Sequence, residues 1–142
     1  MNHTGLVAQM LQHHRAIADY TMEADAMVRA AELDPSTVSN ARWRFVRVLT
    51  AYQVFKHQQI FDPVMQNGSQ LDADAARQLK AECIIMTEAF RSYIAKWSTS
   101  GIVGREEEYR CEAQAMILRV RTHIARERRG VEALLATGAR AA

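Results

Sequence analysis

The sequence predicts an all-α protein folded as an up-down-up-down four-helix bundle. Three observations lead there. Only two prolines and six glycines interrupt 142 residues of which 49% are hydrophobic, a composition that favours helix. Apolar residues recur at helical spacing through four long blocks. The breaks between blocks are short, as antiparallel neighbours require. A chain of this length forms one domain, residues 1–142, and buries a sizeable core without staples.

The first block spans about residues 4–32. Leu6, Val7, Met10, Leu11, Ile17, Ala18 and Val28 share a stripe, with His14 near its middle and His13 on the flank. Asp34-Pro35 restarts the chain, with Asp34 as N-cap and Pro35 in the first turn. The second block spans 35–61, where Val46, Leu49, Gln53, His57 and Ile60 form a seam. Asp62-Pro63 is expected to end it, and Asn67-Gly68 marks a turn.

The third block spans 72–97 with Asp72 as N-cap. Leu79, Cys83, Met86, Phe90, Tyr93 and Trp97 face inward. Cys83 and Met86 fill space or lend soft sulfur ligands, and a buried Tyr93 needs a partner for its hydroxyl. After the loop Ser98–Gly104, the fourth block spans 105–136 and opens on Glu106–Glu108, favourable at a helix N-terminus. Cys111 faces outward with Leu118, so no disulfide to Cys83 is expected. Gly130 is a point of weakness or a kink, and the tail TGARAA is expected to fray.

The fourth block holds the chemistry. Met116, Val120, Ile124, Val131 and Leu134 share one side, and Glu127 falls close to its centre, one turn after His123. A carboxylate there must be hydrogen-bonded, paired or metal-bound. His14, His57, His123 and Glu127 come from three helices and suit iron, zinc or manganese. Gln53, Cys83, Met86 and Tyr93 stand as outer or substitute ligands.

The stretches LVAQMLQHHRAI, RWRFVRVLTAYQVFKHQQIFDP and VRTHIARERRGVEALL resemble the hemerythrin-like, or HHE cation-binding, family over nearly the whole chain. The resemblance implies a bundle holding non-haem iron between its helices. His14 matches the family's first ligand, and His123-x-x-x-Glu127 its last pair. On helix two the family pattern is His-x-x-x-Glu. Here either His57 takes the His position and Phe61 replaces the Glu, or Gln53 replaces the His and His57 the Glu. Helix three offers Cys83 and Met86 in place of histidine. The resemblance therefore implies an incomplete di-iron site, with one non-haem iron, zinc or manganese and a sensing or regulatory role. The alternative is a metal-free bundle acting as a protein-interaction or signalling module.

Other classes fit less well. A net charge of +2 is too small to argue for nucleic acid, and no reading motif appears. His123-x-x-Arg126 superficially fits a phosphotransfer histidine, but His123 points inward. No activated nucleophile, phosphate loop or paired carboxylates appear, so catalysis is not expected. Arg42, Arg44, Arg47, Arg119, Arg126, Arg128 and Arg129 are read as exposed, either solvated or facing an acidic protein partner. The N-terminus lacks an apolar leader and no segment reaches membrane-spanning length, which predicts a cytoplasmic protein.

Overall fold

The computed structural model describes residues 3–141, with side chains from 3 to 136. Every regular element among them is helical. They are α1 (His3–Arg29), α2 (Pro35–Lys56), a π-helical turn (His57–Phe61), α3 (Asp62–Asn67), α4 (Gln70–Ser100) and α5 (Glu106–Ala141). The side chains of the tail expected to fray lie outside the described residues.

Local chemistry sets the boundaries. α1 stops at Arg29, short of the expected Glu32, and its exposed carbonyls are met from another helix. The Arg110 guanidinium donates to the carbonyls of Val28, Ala30 and Ala31, satisfying acceptors that a helix end leaves unpaired. Asp34 caps α2 as expected, its carboxylate accepting from the Thr37 amide at 2.9 Å.

Pro63 does not end the second helical block, contrary to expectation. One π turn precedes it, in which the Asp62 amide donates to the His57 carbonyl, and Pro63 then sits in the first turn of α3. Phe61 before it is itself helical, with φ -67° and ψ -52°, so Pro63 lies inside a continuous helix and withdraws one hydrogen bond from the preceding turn. The N-cap of α4 is Ser69 rather than Asp72. Its hydroxyl accepts from the Asp72 amide at 3.1 Å. Gly101 and Gly104, with φ of 66° and 77°, turn the chain into α5 through conformations open to glycine.

α1 packs against α2 and α5, α4 packs against α5, and the π turn and α3 pack on α4. The start of α1 meets the end of α5, where His3 Nδ1 lies 3.0 Å from the Leu135 carbonyl. Gly130 marks close approach rather than weakness, since a Cβ there would stand 2.7 Å from Leu79 Cδ2.

The core has two layers. One gathers Met10, Ile17, Tyr52, Ile60, Phe61, Cys83, Val120 and Val131. The other gathers Val28, Val38, Trp97, Ile102, Tyr109 and Ile117. Each large apolar side chain buried there stabilises the fold by about 1.5–3 kcal/mol. Cys83 is buried and Cys111 exposed, and neither is in a disulfide. Leu118 is exposed. No helix among the described residues is long and apolar enough to cross a membrane.

Candidate functional site

Glu127 occupies the place on α5 that periodicity gives it, 2% exposed in the middle of the first core layer. Its partner comes from α2. Lys56 Nζ, equally buried, lies 2.9 Å from Oε1 and 3.0 Å from Oε2. The Tyr52 hydroxyl, one turn before Lys56, donates to Oε1 at 2.7 Å. His123 Nε2 lies 3.2 Å from Oε2, an ion-pair distance without hydrogen-bond alignment. The ammonium also stands 4.5 Å from the centre of the Tyr52 ring, a cation–π distance.

The donor chain continues outward to α1. Tyr52 has one proton and gives it to Glu127, so His14 Nε2, 2.8 Å from the Tyr52 oxygen, must donate to it. That assignment leaves His14 Nδ1 unprotonated, and it is buried without a partner. Burial, the largest influence, lowers the His14 pKa to about 4, with Arg128 and Lys56 adding to the effect and Glu127 opposing it. His14 is therefore neutral at pH 7.

Burial opposes the charge on Glu127, but His123 and Lys56 outweigh it and hold the carboxyl at about 2. Burial likewise works against a protonated His123. The Cys83 thiol and Glu127 outweigh it and raise that imidazole to about 9. The Cys83 thiol is lowered despite burial, because His123 and Lys56 favour a thiolate. Tyr52 is pushed up by burial and by Glu127. The centre is thus a carboxylate surrounded by cations and donors.

The residues singled out from sequence divide between several partners. His57 is half-buried, with Nε2 3.4 Å from Cys83 Sγ. Gln53 is also half-buried and donates to the Thr87 hydroxyl on α4. The buried face of this stretch is therefore Tyr52, Phe55 and Lys56, rotated one residue from the expected Gln53–His57 seam. Met86 packs against the first core layer. Tyr93 lies in the other layer, where its hydroxyl meets that of Tyr109 at 3.2 Å. Cys83, His123 and Glu127 each bring one potential ligand atom within 4.8 Å of the others, whereas His14 and His57 turn to Tyr52 and Cys83.

Lys56 was the residue that sequence reasoning missed, since lysine by type belongs on the surface. The signal was the aromatic row Phe45, Tyr52 and Phe55, which marks the inward face and carries Lys56 with it. Arg42, read as exposed, is buried as well.

A cavity of about 20 Å³ adjoins the centre, lined in part by Tyr52, Lys56, Cys83, Met86 and His123. It has room for about one water, while Met86 and His123 also line a more open cleft of about 400 Å³ between α4 and α5. No family model, curated protein or solved structure matches the chain. What the fold and the centre define is a class: an all-helical protein with a buried, charge-paired polar core.

Proposed function

We propose that this chain is a metal-independent module with an up-down-up-down, hemerythrin-like architecture that acts by binding another protein. Lys56 supplies inside it the positive charge that a metal supplies in hemerythrin-like bundles. The observation carrying this reading is the ammonium bridging both oxygens of Glu127. A bridging metal and Lys56 compete for the same lone pairs, and the neutral His14 is committed to Tyr52. These residues do not fit a di-iron centre.

The surface supports the binding role. A groove of about 980 Å³ between α1 and α5 is lined by Arg15, Arg121, Arg128 and Arg129 over apolar residues such as Leu11 and Met22, with no acidic side chain in its wall. An acidic protein surface complements it. Arg44, Arg126 and Arg128, expected to be available, already pair with Glu23, Glu82 and Glu132. The test is elemental analysis and thermal melting with and without chelator. The expected result is substoichiometric metal and an unmoved melting temperature. One tightly held metal per chain, with chelator sensitivity, overturns the reading.

A second reading rests on the convergence of Cys83, His123 and Glu127. One thiolate, one imidazole and one carboxylate suit a mononuclear zinc or non-haem iron, or a manganese. This reading requires Lys56 to release Glu127.

A further inference from the structure

A second buried cation, Arg42, lies in the other core layer, and no carboxylate among the described residues pairs with it. Arg42 is 9% exposed, and its Nε and Nη1 are buried without hydrogen-bond partners. Its one hydrogen bond among the described residues runs from Nη2 to the Trp97 carbonyl at 3.4 Å, a long contact with a neutral acceptor. None of the ion pairs among the described residues includes Arg42. The Glu112 carboxylate on α5 pairs with Lys96 at 2.8 Å and not with Arg42, although its Oε2 is buried without a hydrogen bond.

Arg42 lines a cavity of about 40 Å³ between α1, α2, α4 and α5. The polar side chains in that wall are Arg42, Tyr93 and Tyr109, with no carboxylate among them. Tyr93 and Tyr109 share one hydrogen bond between their hydroxyls. Whichever donates, one hydroxyl proton is left for an outside acceptor. The remaining lining side chains, Met27, Phe45, Phe90 and Ile117 among them, are apolar. The indole N–H of Trp97, which packs on Tyr109, is buried without an acceptor too.

We infer that this cavity is a binding site for one small monovalent anion, held by the Arg42 guanidinium and the free tyrosine hydroxyl. Water satisfies the donors but leaves the charge, and an uncompensated buried charge is heavily penalised. The volume is about three times the minimum that one water needs. It admits chloride, formate or acetate and excludes larger organic anions.

The test uses the full-length protein with chelator present throughout, so the result does not depend on whether the Lys56 centre takes a metal. Protein in a gluconate buffer is titrated with chloride, formate or acetate at fixed ionic strength. The expected result is a saturable rise in melting temperature, about 4 °C at ten times the dissociation constant, with the ranking of the three salts distinguishing halide from carboxylate. Broadening of the ³⁵Cl resonance should report bound chloride directly and be lost in Arg42→Met. Ala113→Leu, which fills the cavity and keeps Arg42, should abolish both responses and serves where Arg42→Met fails to fold. Stabilisation that follows ionic strength alone overturns the site. So does gluconate acting as well as chloride, or responses that persist in Ala113→Leu.

Discussion

Lys56 and Glu127 stand 71 residues apart in sequence and form a buried pair in which one ammonium reaches both oxygens of one carboxylate, 2.9 and 3.0 Å away. Their geometry sets a thermodynamic cycle. Glu127→Gln leaves a buried ammonium without its anion, and Lys56→Met leaves a carboxylate short of a cation. Each is expected to cost about 3–5 kcal/mol. The double variant removes both charges and should lie closer to the parent than either single one. Urea melts of the four proteins measure this, and additive losses would show that the pair is not coupled.

Tyr52→Phe isolates the middle of the donor chain. It takes one donor from Glu127 and leaves His14 Nε2 without its acceptor, at constant ring shape. A loss of about 1–3 kcal/mol is expected. Adding His14→Leu should cost less in this background than in the parent, because the stranded donor is gone. Equal costs in both backgrounds would deny the link.

The two histidines on either side of the chain predict opposite pH limbs. His14 is lowered to about 4 from 6.5. Its unfolded form binds the proton more readily, so its contribution is complete above pH 6.5 and is lost as pH falls towards 4. His13 and His57, both lowered chiefly by burial, act in the same direction. His123 is raised to about 9, so its contribution is complete below pH 6.5 and is lost as pH rises towards 9. Glu127, held at about 2, adds a further loss as pH falls from 4.5 towards 2. Cys83, lowered from its usual value of 9.0, contributes the opposite slope on the alkaline side and partly offsets the His123 loss. Stability should therefore fall more steeply on the acid side of pH 6.5 than on the alkaline side. His123→Gln should flatten the alkaline limb and His14→Gln the acid limb, as urea melts across pH would record.

Removing the lysine opens the way to the metal reading. Lys56→Ala vacates the space against Glu127 while Cys83, His123 and Glu127 stay in place. Cobalt(II) added to this variant should give a thiolate-to-metal absorption band, lost on adding Cys83→Ser. The parent protein should show no such band under the same conditions. A parent that binds cobalt as well as the variant would instead favour the mononuclear site.

The helices were legible because each carries a long apolar stripe and Asp34-Pro35 punctuates the chain where the first two meet. Glu127 was legible for the same reason, as a carboxylate at the centre of a stripe. Its partner was not. Lys56 is one residue from His57, and a shift of one residue turns a helix face by about 100°. A seam drawn through Gln53 and His57 therefore leaves Lys56 outside. Arg42 was hidden likewise by residue type. The π turn had no signal of its own beyond Pro63, which by ordinary rules ends a helix.

That turn constrains length more than identity. The five residues His57–Phe61 hold one position more than α-helical winding uses to reach the same level. Gln58 and Gln59 are both exposed, and replacing either by alanine should pass unnoticed. Deleting either is a different event. It would restore ordinary winding, rotate Ile60 and Phe61 relative to Tyr52 and Lys56, and press the Pro63 ring towards the backbone of the preceding turn. Two surface glutamines of no chemical consequence thus act as a phase spacer, and an alignment that scores them by substitution alone would rank them as dispensable.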